Sequence, residues 1–90
     1  MKDMSLNKQE LPKWFTDQGG VCYKEGANVT NYLSNSSIYL TNAELSMYDY
    51  IKGCEVFAFK SNNSIIITNF NKALNWFRKN NPEAYMVLLD

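Results

Sequence analysis

The strongest constraint on the fold is a helix-start signal in the middle of the chain, Thr41-Asn42-Ala43-Glu44. In such a capping box the threonine hydroxyl accepts a hydrogen bond from the backbone N–H of the glutamate, and the glutamate side chain accepts one from the backbone N–H of the threonine. The signal predicts a helix that begins at Asn42.

An apolar stripe follows this signal, because apolar residues recur at intervals of three to four positions. Its predicted members are Leu45, Met47, Tyr48, Tyr50, Ile51, Cys54, Val56, Phe57 and Ala58. Gly53 interrupts the helix, where a glycine costs about 1 kcal/mol relative to alanine. We interpret it as the point of a close helix crossing.

A second helix is predicted over residues 65–79. Its first residues, Ile65-Ile66-Ile67-Thr68, are β-branched and would suit a strand. The longer pattern decides in favour of a helix, with the first turn as its weakest part. The residues predicted to share its apolar face are Ile66, Phe70, Ala73, Leu74 and Phe77.

The stretch NNPEAYMVLLD contains the signals of a third, short helix. Asn81 is a good N-cap and Pro82 suits the first helical position. Residues 85–89 are apolar on most sides of such a helix, which is typical of a buried helix. We therefore expect these residues to close the core, with Asp90 at the surface, and we expect deletion of residues 85–90 to unfold the domain.

The N-terminal half is less regular. Residues 1–10 are polar and unpatterned, which predicts a flexible arm before a single domain over residues 11–90. The stretch VTNYLSNSSIYL predicts a hairpin with strands near residues 29–31 and 38–40. The predicted fold is α+β and mainly helical, with two longer helices and a short C-terminal helix. A small β-hairpin or an extended N-terminal segment packs on them.

Composition excludes several classes of function. The chain has 90 residues, 46% of them hydrophobic, a formal net charge of zero and no histidine. Without histidine, most zinc sites and the common His-based catalytic arrangements are excluded, and we expect no metal or other cofactor. The chain lacks a signal-peptide pattern and an apolar run long enough for a membrane helix, so we expect a cytoplasmic protein whose Cys22 and Cys54 are reduced.

Two segments contain residue types that could perform chemistry. The stretch MYDYIKGCE, residues 47–55, brings Tyr48, Asp49 and Cys54 close together, but no histidine is present to act as a base or to activate the thiol. We predict no catalytic residues and a core position for Cys54. Trp14 and Phe15 are predicted either to fold back as a lid on the helices or to bind a partner.

The stretch WFRKN combines aromatic and basic residues, as nucleic-acid interfaces do. The alternative interpretation puts Phe77 in the core and uses Arg78 and Lys79 to stabilise the end of the helix dipole. A helix-turn-helix would additionally let Asn69, Asn71 and Asn75 read adenine edges. Zero net charge disfavours nucleic acid. The candidate interaction surface predicted from the sequence comprises Trp14, Phe15, Lys72, Trp76, Arg78 and Lys79.

The spaced pattern VTN, SN, IYLTNAELSMYDY and ALNWFRKNNPEAYMVLLD resembles a family of small proteins of unassigned function encoded by tailed phages of marine bacteria. The resemblance spans residues 11–90, and WFRKNNPEAYMVLLD is its most specific part. It implies no activity and no catalytic residues. It implies a viral or marine-metagenomic accessory protein, which would act in the cytoplasm of a bacterial host if it is phage-encoded.

The leading functional hypothesis is therefore a non-enzymatic protein-interaction module, binding a host or viral protein or a second copy of itself. Binding of nucleic acid through the helix at residues 65–79 is the second hypothesis. A small-ligand binder or enzyme is the third, and it would need a concave pocket with convergent polar groups.

Overall fold

The computed structural model describes residues 9–61 and 64–89, and it confirms the predicted α+β, mainly helical fold class. Within these residues it contains four helices and a two-stranded antiparallel sheet. The elements in chain order are α1 (Lys13–Asp17), β1 (Ala27–Asn31), β2 (Ser36–Leu40), α2 (Asn42–Ser61), α3 (Ser64–Asn80) and α4 (Pro82–Leu88).

The predicted capping box starts α2. The backbone N–H of Glu44 donates to Oγ1 of Thr41 at 3.2 Å, and the backbone N–H of Thr41 donates to Oε1 of Glu44 at 3.0 Å. Both bonds satisfy N–H groups that a helix start would otherwise leave unpaired. The helix then continues for 20 residues.

The buried face of α2 is narrower than the sequence predicts. Met47, Ile51 and Cys54 are buried at spacings of four and three, as expected for one helical face. Val56 and Phe57 are 55% and 61% exposed, so their assignment to the apolar stripe is wrong. Val56 lies two positions after Cys54 and therefore on the opposite side of the helix. Phe57 lies three positions after Cys54 on the same side, but it is exposed there.

Gly53 does not mark a helix crossing, contrary to the prediction. The residue is exposed, and a Cβ atom added to it would have no heavy atom within 4 Å. A crossing through glycine requires a neighbouring backbone or side chain at contact distance. The packing of α2 on α3 therefore relies on other residues.

Helix α3 begins at Ser64, so residues 65–68 are helical and the prediction for residues 65–79 is confirmed. Ala73 and Phe77 are fully buried, and the other members of the predicted face are half-buried. Burial of this face outweighs the preference of the isoleucines for a strand, as tertiary packing commonly does.

Helix α4 starts as predicted. Oδ1 of Asn81 accepts a hydrogen bond from the backbone N–H of Ala84 at 3.0 Å, and Pro82 occupies the first turn. Leu88 joins the core, and most of residues 85–89 are buried or half-buried, which confirms the predicted closing role. The prediction is wrong for Met86, which is 67% exposed, while that for Asp90 lies outside the described residues.

The hairpin is confirmed, and both strands are longer than predicted. Its register pairs Ala27 with Leu40, Val29 with Ile38 and Asn31 with Ser36. The pairs containing Leu40 and Val29 face the helices, because they belong to the core cluster or pack against it. Both strands pack on α4, and β2 also contacts α2.

The segment before the hairpin forms the lid that the sequence predicts, and it includes the unpredicted short helix α1. Phe15 is buried in the core, and the rings of Trp14 and Phe15 meet that of Tyr50 edge-on at 5.7 and 5.5 Å between centroids. Of the predicted arm, residues 1–8 lie outside the described range. Gln9 bonds to the domain through its side chain, so the arm does not extend to this residue.

Within residues 9–61 and 64–89, no helix is both long enough and apolar enough to cross a bilayer.

Candidate interaction surface

Two large side chains project into solvent at the tip of the hairpin. Tyr32 is 92% exposed and Leu33 is 99% exposed. They occupy a four-residue turn between the strands, and Asn35 in that turn adopts the left-handed conformation with φ of 62°. Asparagine tolerates this conformation better than most residues, which explains its position here.

The turn is held by Asn31 through three hydrogen bonds. Its carbonyl oxygen accepts from the backbone N–H of Asn35 at 2.7 Å, and its Oδ1 accepts from the backbone N–H of Leu33 at 2.9 Å. Its Nδ2 donates to the backbone carbonyl of Val87 in α4 at 2.9 Å. One side chain therefore orders the turn and also ties it to the C-terminal helix.

An exposed leucine and tyrosine on an ordered turn can provide binding energy at low entropic cost. Burial of one such side chain is worth about 1.5–3 kcal/mol. A turn that is already ordered loses less conformational freedom when it binds. We call Tyr32 and Leu33 the hairpin tip. Tyr39 on β2, which is also exposed, lies on the strand that follows it.

The hairpin tip is not evident from composition, because the stretch between the strands is rich in Asn and Ser, which indicates a solvated turn. The signal that could have revealed it is the pair Tyr32-Leu33 between Asn31 and Asn35. Two large apolar residues inside a turn have no core to enter.

A second exposed apolar region lies on the parts of α2 and α3 that flank residues 62–63. Its members are Val56, Phe57, Ile65 and Ile67. The connection itself lies outside the described residues. Val56 is an exposed apolar side chain away from the hairpin and is therefore a matched control for the hairpin tip.

The residues of the interaction surface predicted from the sequence differ in their burial. Phe15 is buried, so it is not available to a partner and its assignment to an exposed surface is wrong. Trp14 is half-buried, and Nζ of Lys72 lies 6.0 Å from its ring centroid. Trp76 is half-buried as well, and its Nε1 donates to the backbone carbonyl of Glu10 at 3.1 Å.

The basic residues of WFRKN also have intramolecular neighbours. The guanidinium of Arg78 lies 5.5 Å from the ring centroid of Tyr85 and donates to Oδ1 of Asn75. Phe77 is fully buried, whereas Lys79 is exposed. Arg78 and Asn75 therefore bind each other, where a nucleic-acid interface would use them for phosphates and bases.

Two tyrosines, Tyr23 and Tyr50, have raised pKa values that favour the protonated phenol. Burial, followed by a hydrogen bond with Cys54, raises the pKa of Tyr50 to about 12. A hydrogen bond to the carboxylate of Asp49 raises the pKa of Tyr23. A protonated phenol donates hydrogen bonds, and it is a poor base or nucleophile near neutral pH.

Metal ligands are not clustered in the part of the chain that the structure describes. No group of three or more Cys, Asp or Glu side chains there could hold a metal ion. Cys22 and Cys54 are both free, and Cys54 is buried on α2 as the sequence predicts.

A buried carboxylate joins three segments of the chain. Glu44 is only 3% exposed, and its Oε1 accepts from the backbone N–H of Thr41 and from Nδ2 of Asn81 at 3.1 Å. Its Oε2 accepts from Nε2 of Gln9 at 2.6 Å. The Thr41 hydroxyl donates to Oε1 of Gln9 and completes the network. The two helix starts at residues 41–44 and 81–84 thus share one carboxylate.

Comparison with known proteins adds no relative, since no protein-family model, curated protein or solved structure matches the chain.

Proposed function

We propose that this chain is a non-enzymatic protein-interaction module that presents its hairpin tip to a protein partner. The observation that carries the proposal is the near-complete exposure of Tyr32 and Leu33 on a turn fixed by Asn31. Large anchors on a preorganised support are typical of binding hot spots.

The chemistry of the tip indicates the kind of partner. Leu33 contributes only apolar surface, while Tyr32 adds a hydroxyl that can bond at the edge of a contact. The strands that carry the tip contain no charged residue. The partner surface is therefore uncharged and apolar where it meets the tip, since a strongly charged surface would lose hydration without gaining an ion pair.

The setting of this interaction rests on the sequence. The resemblance to proteins of marine tailed phages predicts a host or viral partner in the cytoplasm. Two free thiols, one of them exposed, are compatible with a reducing compartment.

The test is capture of binding proteins by the immobilised chain and by the double variant Tyr32→Ser, Leu33→Ser. The account expects specific binding to the parent chain and a loss of about a hundredfold for the double variant, because burial of two side chains, worth at least about 3 kcal/mol together, disappears. The control is Val56→Ser, which removes an exposed apolar side chain from the other region and should leave binding unchanged.

Two results would contradict the proposal. Equal losses for the tip variant and for Val56→Ser would indicate general apolar adhesion. Undiminished specific binding by the tip variant, with an unchanged circular dichroism spectrum, would show that the partner binds elsewhere.

A further inference from the structure

The hairpin also offers a strand edge. The sheet has only two strands, so each has one outer side. Among the described residues, no backbone hydrogen bond joins either outer side to another element. Unpaired N–H and C=O groups along such an edge can pair with a further strand.

This edge lacks the usual protection against strand pairing. The sequences ANVTN of β1 and SSIYL of β2 contain no charged residue and no proline, and their register runs without a bulge. Natural edge strands commonly carry charged residues, prolines or bulges, which prevent edge-to-edge association. The more accessible strand is β1, because β2 packs on both α2 and α4 whereas β1 packs on α4.

We propose that the outer edge of β1 pairs antiparallel with β1 of a second copy, forming a continuous four-stranded sheet. This inference rests on the proposed function and names the partner as the chain itself. An uncharged edge is complementary to its own copy, since two identical uncharged strands meet without like-charge repulsion. A two-fold axis perpendicular to the sheet keeps the helices of both copies on the same face.

The spacing of the helices supports this arrangement. In the order β2, β1, β1 of the second copy, β2 of the second copy, an α4 helix centred over each hairpin would lie two strand spacings, about 10 Å, from its counterpart. Packed helices are separated by roughly 8 to 10 Å. The sheet and the helices could therefore join across the same axis.

The hairpin tip fits this pairing in size. If Val29 pairs with Val29 of the second copy, Tyr32 lies beside Gly26 and Asn31 beside Ala27 of that copy. A large residue thus lies beside one without a side chain. The tip of each copy would contact the start of the other copy's strand, which would cover part of its exposed apolar surface.

The test uses charged variants at Asn28, which is exposed and lies on the face of the sheet away from the helices. In the proposed register the two copies of residue 28 are diagonal neighbours, within reach of long side chains. Asn28→Lys and Asn28→Glu should each raise the dimer dissociation constant by roughly two- to fivefold, and an equimolar mixture of the two should recover association. Sedimentation velocity measures each sample, with Asn71→Lys on α3 as the matched control.

Hydrogen exchange locates the contact. Amides of residues 27–31 should become better protected as the concentration of the parent chain rises. Dimer dissociation constants that stay unchanged in both charged variants, or protection elsewhere than on the hairpin, would refute the edge. A parent chain that stays monomeric while still binding a partner through Tyr32 and Leu33 would refute this inference and leave the proposed function standing. A parent chain that neither dimerises nor binds a partner would refute both the inference and the proposed function.

Discussion

The network around Glu44 provides the most informative test of the fold. Replacement by alanine removes the acceptor for three donors: the N–H of Thr41, Nδ2 of Asn81 and Nε2 of Gln9. A hydrogen bond contributes about 1 kcal/mol net, so Glu44→Ala should lower the free energy of unfolding by about 3 kcal/mol. That is a large part of the roughly 5 to 13 kcal/mol expected for a domain of this length.

Glu44→Gln is the matched variant, because it keeps the size of the side chain and one acceptor oxygen. That oxygen can still accept from Thr41 and Asn81, and the new amide can donate to Gln9 if the Gln9 amide turns over. The Thr41 hydroxyl then accepts where it now donates. We expect a loss of about 1 kcal/mol, since the three bonds to residue 44 are kept, two bonds reverse direction, and only the hydroxyl proton of Thr41 loses its acceptor.

Urea unfolding followed by circular dichroism measures both variants, and thermal melting provides a check. The alanine variant should melt about 10 to 20 °C below the parent chain. Equal losses for the two variants would refute the reasoning, because the account attributes the difference to unpaired donors and to nothing else at this site.

Three further predictions concern other parts of the chain. Gly53→Ala should stabilise the domain by about 1 kcal/mol in urea unfolding, because the residue lies inside α2 with nothing near its Cβ position. Gly26→Ala should destabilise the domain, because a Cβ atom there collides with the carbonyl of Leu40, and stabilisation by both variants would contradict the geometry. Leu88→Ala should cost about 2–5 kcal/mol by the same assay and Met86→Ala less than about 0.5 kcal/mol, and similar values would contradict the burial pattern of α4. The raised pKa of Tyr50 favours the protonated phenol in the folded state, so its contribution to stability is complete below the ordinary pKa of about 10 and is lost as pH rises through about 12. Tyr50→Phe should therefore reduce the loss of unfolding free energy between these pH values. An unchanged dependence of unfolding on pH would contradict this prediction.

Local signals predicted most of the fold. The capping box at Thr41 and the cap at Asn81 act within a few residues, so their sequences are sufficient to place the starts of α2 and α4. Helix α3 was predicted because its apolar period extends over 15 residues and outweighs the β-branched Ile65-Ile66-Ile67. The hairpin was predicted from two β-rich segments around a turn.

The remaining features depend on contacts between distant residues, which the sequence alone does not reveal. Helix α1 has only five residues and no side-chain cap, so it owes its place to the burial of Phe15. The sequence predicts Val56 on the buried face of α2 and Gly53 at a helix crossing, and both predictions are wrong. The helical period does not reveal which part of α2 the other elements of the fold cover. The order of the hairpin tip depends on a bond between Asn31 and Val87, 56 positions apart.

The central claim, that the hairpin tip contacts another protein chain, is tested most directly by a photo-crosslinking amino acid introduced at position 33. The matched site is position 71, which is exposed on α3. The account predicts a discrete crosslinked protein product from position 33, either a second copy or another partner, and none from position 71. Equal crosslinking from both positions, or none from position 33 under conditions where the parent chain binds its partner, would contradict it.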